Sequence, residues 1–133
     1  MMAKEIVRYR DEDGSTVKDW VPVRTGSALI DVSDSATISD VQTGYGMDLL
    51  RVKIPATPVG TALAIHACNT VDGTYVAVQN DAAVALSIPI VTGNKGKWVA
   101  MDTLSAMCRG MTFFKFVSND TETADQTIEY VLG

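Results

Sequence analysis

The chain has 133 residues, of which 47% are hydrophobic and 20% are charged, and its formal net charge is -5. This size and composition predict one globular domain and exclude intrinsic disorder. The acidic balance and the scattered basic residues argue against nucleic acid or an anionic membrane as the main partner. No apolar run approaches the length of a membrane-spanning helix, and the charged start Met1–Glu5 lacks the apolar core of a signal peptide. The two cysteines, Cys68 and Cys108, are therefore expected to be reduced and buried in a protein that folds in a cytoplasm.

The first residues mix charged and apolar side chains. Residues 4–10 read KEIVRYR and predict either an extended N-terminal arm or an edge strand, so we assign residues 1–14 to this element. The acidic segment DEDG at residues 11–14 predicts a turn. Residues 15–133 are then predicted to form a single β-sandwich domain.

Alternation of apolar with polar or small residues recurs along the rest of the chain, with about eight to ten short strands expected between turn signals. Three runs have predicted buried faces: Leu50, Val52 and Ile54; Leu63, Ile65 and Ala67; and Val84, Leu86, Ile88 and Ile90. Between the second and third runs, Asp72-Gly73 predicts a hairpin turn in which Gly73 supplies a positive φ.

The last third of the chain continues this pattern. Pro89 indicates a sheet edge or a bulge, and residues 102–110 are ambiguous, with one helical turn as an option. Phe114 and Phe116 share a face of the next strand, and residues 126–132 close the chain as a final strand after a polar loop. The fold class expected is therefore all-β, an antiparallel β-sandwich that is jelly-roll-like.

No residue pattern predicts catalysis, a cofactor or a metal site. A catalytic set built on histidine would have to use His66, which is the single histidine and lies in an Ala-rich strand. A structural histidine is the favoured interpretation. The carboxylates Asp31, Asp34, Asp40 and Asp48 are interpreted as turn residues and solubilising charge. We therefore expect that the protein is not an enzyme.

Two segments are interpreted as contacts with neighbouring chains. The apolar residues of the arm are Ile6, Val7 and Tyr9, and an arm of this kind can add a strand to a neighbour's sheet. The second segment is the Gly-rich loop 41–47, with Gly44, Tyr45, Gly46 and Met47 as the contact residues. The neighbouring methionines Met101, Met107 and Met111 are interpreted as flexible core filling, with an interface role as the alternative.

The order of these features resembles that of the capsid cement (decoration) proteins of short-tailed bacteriophages. The resemblance covers roughly residue 27 to the C-terminus and lies in these segments: ISDVQTGYGMDL, LLRVKIPA, TALAIHACNT, VDGTYVAV, ALSIPIVTGNKGKW and FFKFVSNDTETADQTIEYVL. The residues before position 26 are not matched.

The resemblance implies a structural virion protein on the outer surface of an icosahedral capsid, where it cements neighbouring major capsid proteins. The implied partners are the major capsid protein and further copies of the chain, as a homodimer or homotrimer. The alternative is a host-surface or carbohydrate-binding module, for which the candidate stacking rings are Trp20, Trp98, Tyr45 and Tyr75. A metal-dependent enzyme on a similar barrel would need several histidines, and the chain has one.

Overall fold

The computed structural model describes residues 7–10, 17–20 and 23–133, with side chains from residue 23 onward except that of residue 103. The strands are β1 (Val7–Arg10), β2 (Val17–Trp20), β3 (Arg24–Ile30), β4 (Gln42–Thr43), β5 (Leu49–Lys53), β6 (Ala62–Cys68), β7 (Val76–Ala77), β8 (Ile88–Pro89), β9 (Trp98–Ala100), β10 (Phe113–Ser118) and β11 (Gln126–Leu132). A short 3-10 helix, Asp102–Cys108, lies between β9 and β10. No helix in the described part of the chain is long and apolar enough to cross a membrane.

Two antiparallel sheets pack face to face. One has the strand order β3-β11-β5-β9, and the other has the order β4-β10-β6-β7, with β8 also pairing with β6. Since β7 and β8 lie end to end along one edge of β6, they act as one interrupted strand. From β3 onward, chain-adjacent strands alternate between the two sheets, except that β6, β7 and β8 lie in the same sheet. The predicted all-β antiparallel sandwich is confirmed. Strands β1 and β2 form a separate two-stranded sheet.

The core fills the space between the two sheets. Phe114 and Phe116 of β10 are fully buried and pack edge-on at 5.6 Å between ring centroids. Tyr130 of β11 meets Phe114 at 5.3 Å from the opposite sheet. The predicted alternation is confirmed for Leu63 and Ile65. The apolar residues of the core are Ala28, Ile30, Met47, Leu49, Val52, Ile54, Leu63, Ile65, Leu86, Ile88, Ile90, Met101, Cys108, Met111, Phe114, Phe116, Ile128, Tyr130 and Leu132.

The predicted face of β5 is wrong at one position. Val52 and Ile54 are buried, but Leu50 is 38% exposed and its neighbour Leu49 takes the core position. The cause is a shift in register against β11, where Val131 pairs with Arg51 but the next residue pairs with Leu49. This bulge leaves Leu50 without a partner on β11 and reverses the side on which the alternation begins.

The predicted hairpin after β6 is present, but the reason for glycine at position 73 differs from the one predicted. His66 and Ala67 pair with Ala77 and Val76, so the chain does reverse here. Gly73 does not have the positive φ that we predicted. Instead, a Cβ at residue 73 would overlap the sulfur of Cys68. The turn therefore needs glycine for close approach rather than for a left-handed backbone.

The sulfur-containing side chains complete the interior. Both cysteines are free, but only Cys108 is buried, whereas Cys68 is half-buried, so the expectation of two buried thiols is wrong for Cys68. Met101 and Met111 belong to the core, and Met107 packs against it. Their role as core filling is confirmed.

Candidate interaction surface

One side of the sandwich carries apolar side chains that face solvent. Val71, Val76, Val84 and Val91 are 52%, 62%, 58% and 54% exposed, and all lie on β7 or on the loops that flank β7 and β8. Val59 is 42% exposed. The segment of Val59 lies beside that of Val91, because Ile90 N donates a bond to Thr61 O at 2.8 Å. We call Val59, Val71, Val76, Val84 and Val91 the valine edge.

The valine edge has almost no charge. Residues 71–91 contain two acidic residues, Asp72 and Asp81, and no lysine or arginine. Edge strands in soluble proteins are usually protected by charges, prolines or bulges, and large exposed apolar patches mark contact surfaces. Here Pro89 and the two-residue length of β7 and β8 limit pairing at this edge. The exposed apolar side chains beside it are typical of a surface that another protein covers.

The turn that presents Val84 is held by its own hydrogen bonds. The side chain of Asn80 accepts bonds from the backbone N–H groups of Ala82 and Val84, at 2.9 and 3.0 Å. Ala83 adopts a left-handed conformation with φ 62°. This turn is therefore formed before any partner arrives, which lowers the entropic cost of binding through Val84.

Because of this turn, the strand that follows begins later than the sequence predicts. Leu86, Ile88 and Ile90 are buried as predicted, whereas Val84 is not. The backbone C=O of Val84 accepts a bond from Asn80 N, and Val84 therefore closes the turn. The buried alternation begins only at Leu86, so the sequence pattern was extended one step too far toward the N-terminus.

Two of the four predicted contact residues in the loop 41–47 are interior. Met47 is 1% exposed and belongs to the core, and Gly44 is buried with its N–H bonded to Thr112 O at 2.8 Å. Both are corrected from contact residues to structural ones. Tyr45 and Gly46 remain partly exposed, and the guanidinium of Arg24 lies 4.3 Å from the centre of the Tyr45 ring. Of the four predicted contact residues in this loop, only Tyr45 and Gly46 have surface to offer a partner.

The predicted N-terminal contacts fall at the limit of the described chain. Ile6 and the turn at residues 11–14 lie outside the described residues. Val7 and Tyr9 lie on β1, which pairs with β2 in the register Val7 to Trp20 and Tyr9 to Lys18. Residues 7–10 of the segment predicted as an arm or an edge strand thus form a strand that pairs with β2.

The opposite side of the sandwich holds a polar cleft of about 380 Å³ between β3 and β4. The hydroxyl of Tyr130 donates to Gln42 Oε1 at 2.6 Å, and Gln42 Nε2 donates to Asp40 Oδ1 at 2.8 Å. Burial, with the charge of Asp40 as a smaller cause, raises the pKa of Tyr130 to about 12. The phenol is therefore neutral at physiological pH and already bonded, which suits a structural role.

Three aspartates line a second cavity, of about 390 Å³, at the far end of β3. Asp31 accepts bonds from the N–H and the hydroxyl of Ser33, which lower its carboxyl pKa. Asp40 accepts a bond from Leu29 N at 2.8 Å, and Asp34 also lines the cavity. We call Asp31, Asp34 and Asp40 the acidic rim. The carboxylate of Asp31 serves a turn as predicted, whereas that of Asp40 bonds to the backbone of β3 and to Gln42. The sequence could not show that the three aspartates meet at one place.

His66 lies at mid-strand in β6, with Lys115 and Ala77 beside it on the neighbouring strands. Neither neighbour supplies the carboxylate or nucleophile that a catalytic histidine needs. Within residues 23–133, no group of three His, Cys, Asp or Glu side chains could hold a metal ion.

The described candidate stacking rings do not share one cavity. Trp98 is 46% exposed and lines a depression of about 420 Å³ with Ser27 and Glu129, which includes neither Tyr45 nor Tyr75. The ammonium of Lys115 lies 4.4 Å from the centre of the Tyr75 ring. Trp98 alone therefore offers an open face to a sugar. The side chain of the fourth candidate, Trp20, lies outside the described residues.

Comparison of the chain with models of protein families, with curated proteins and with solved structures found no match.

Proposed function

We propose that the protein is a structural virion protein that binds the outside of a phage capsid and cements neighbouring major capsid proteins. The observation that carries the proposal is the valine edge: four valines more than half exposed on a segment that contains no basic residue. Such a surface recognises another protein's apolar surface more readily than a charged or small polar ligand. The sequence resemblance supplies the class of partner.

Cementing a capsid would require no chemistry from the chain. A protein that binds only the assembled lattice stabilises it by mass action, by about 4 kcal/mol per site when its concentration is a thousandfold above Kd. Contacts repeated over symmetry-related sites would add up to a large stabilisation. A rigid sandwich with a preformed apolar edge suits this role.

The proposal is tested by co-sedimentation of the purified protein with expanded phage heads that lack it. We expect saturable binding at a fixed ratio to the major capsid protein, and heads that withstand heating better when the sites are filled. Protein that remains in the supernatant at all concentrations would contradict the proposal.

A second candidate function is recognition of a surface carbohydrate, favoured by the exposed ring of Trp98 beside Ser27 and Glu129. Aromatic faces pack against the apolar faces of sugars, and adjacent hydroxyl and carboxylate groups bond their hydroxyls. A glycan array with the wild type and Trp98→Ala tests this function. Binding that is lost in the variant would favour it over the capsid proposal.

A further inference from the structure

Strand β3 has a free edge. It is the terminal strand of its sheet and pairs with β11 on one side only. Residues of an antiparallel strand point their N–H and C=O groups alternately to the two sides. Leu29 points its groups away from β11, because it bonds with Asp40 through both N–H and C=O, at 2.8 and 3.0 Å. Ser27 and Thr25 therefore point theirs the same way.

The groups of Thr25 and Ser27 meet no hydrogen-bond partner among the described residues. Beyond its first residue, β3 reads TGSALI, with no charge and no proline to discourage pairing. The polar cleft adjoins the edge at Thr25 and leaves room beside the strand. This edge is therefore open to an additional strand.

Among the described residues, the hairpin β1–β2 lacks a third strand to pair with. It pairs with no other strand in the described part of the chain. A two-stranded sheet alone is at best marginally stable in water and requires a third strand or a packing surface. Three residues, among them Pro22, join β2 to β3, and the two strands do not pair with each other within one copy. This short connection keeps the hairpin near its own β3, but the hairpin does not join that sheet.

We propose that the β1–β2 hairpin of one copy adds to the free edge of β3 in a second copy, and that the exchange is reciprocal across a two-fold axis. The backbone groups of Thr25 and Ser27 then bond to the added strand, and each hairpin becomes part of a larger sheet. The dimer goes beyond the proposed function, because it forms in solution without a capsid.

The test is the dimer dissociation constant, measured by sedimentation velocity on the full chain. Ser27→Pro removes an N–H from the free edge but none that pairs with β11, and Ser27→Ala is the matched control. The double variant Tyr9→Pro/Lys18→Pro disrupts the hairpin at two residues that pair with each other. We expect a dimer for the wild type and Ser27→Ala, and a dissociation constant raised about tenfold or more in both proline variants.

Two further measurements separate exchange from a general loss of folding. An equimolar mixture of Ser27→Pro with the hairpin variant should form a heterodimer, since one chain supplies the hairpin and the other an intact edge. In the wild type, amide exchange at Thr25 and Ser27 should slow as protein concentration rises. A monomeric wild type, or proline variants that dimerise as well as the wild type, would overturn the proposal. A monomeric wild type whose binding to heads is lost in Ser27→Pro would overturn it in favour of a strand from the capsid protein.

Discussion

Glu122 is the residue whose role is furthest from what its position in the sequence indicates. It lies in a polar loop, yet it is 3% exposed. Its carboxylate accepts bonds from Val59 N, Gly60 N and the hydroxyl of Ser118, each at 2.8 Å. Glu122 thereby ties the connection before β6 to the end of β10. A polar loop pattern cannot distinguish a solvated carboxylate from one that is bonded in the interior.

Replacement of Glu122 should therefore be costly. Glu122→Ala leaves the N–H groups of Val59 and Gly60 without their acceptors, and loss of the buried Gly60 bond alone should cost about 1–3 kcal/mol. Glu129→Ala is the matched control, because the ion pair of Glu129 with Lys53, at 3.3 Å, is on the surface and contributes about 0–1 kcal/mol. Urea unfolding measures both, and equal losses in the two variants would contradict the assigned role.

The buried thiol of Cys108 predicts a pH dependence of stability. Burial, with a smaller contribution from the charge of Asp48, raises the pKa of Cys108 from 9.0 to about 12. The unfolded chain therefore loses this proton at a lower pH than the folded chain does. The stabilisation is complete below pH 9 and is lost as the pH rises from 9 toward 12, by up to about 1.4 kcal/mol per pH unit.

The free energy of unfolding, measured in urea at several pH values, checks this expectation. In Cys108→Ala the alkaline loss should begin about one pH unit later, because the pKa of Tyr130 is raised from 10.0 to about 12 and its effect begins only near pH 10. Parallel curves for the variant and the wild type between pH 9 and 10 would show that Cys108 does not contribute.

At the scale of the elements, the loop after β4 is set by a close backbone approach. A Cβ at Gly44 would overlap the carbonyl oxygen of Met111, and the N–H of Gly46 bonds to that same oxygen at 3.0 Å. The loop thus closes over the segment that enters β10. This geometry, and not contact with a partner, accounts for the glycine at position 44.

Gly44→Ala should lower the free energy of unfolding by about 1–3 kcal/mol, the usual cost of overpacking an interior. Gly93→Ala is its control, since a Cβ at Gly93 has no atom within 4 Å. Thermal unfolding distinguishes the two variants. A Gly44→Ala protein as stable as Gly93→Ala would contradict the close approach.

The elements show what the sequence could and could not predict. Phe114 and Phe116 were placed on one buried face because they lie two residues apart in a strongly apolar strand. Leu50 and Val84 were misplaced because a bulge and an Asn80-capped turn reset the alternation, and both depend on hydrogen bonds that no local pattern reveals. The valine edge was missed for the same reason. Only the pairing of β7 and β8 with β6 shows which valines lie outside.

At the scale of the whole molecule, the two sides of the sandwich differ in character. The β3–β4 side has a free strand edge beside polar and acidic cavities, whereas the β7–β8 side is apolar and nearly uncharged. We propose that the first side mediates self-association and that the second binds the capsid. Separate surfaces would allow a dimer to hold two capsid proteins at once, which is what a cement requires.

The most direct test of this account measures the binding of single-site variants to heads that lack the protein. Val84→Asp places a charge on the valine edge, and Thr127→Asp places the same charge on an exposed position of β11 in the other sheet. Both are surface changes and should alter stability by no more than about 0.5 kcal/mol. We predict that Val84→Asp weakens binding about tenfold or more, the loss of about 1.4 kcal/mol per contact, while Thr127→Asp binds as the wild type does. Equal binding by Val84→Asp and the wild type would contradict the assignment of the valine edge to the capsid.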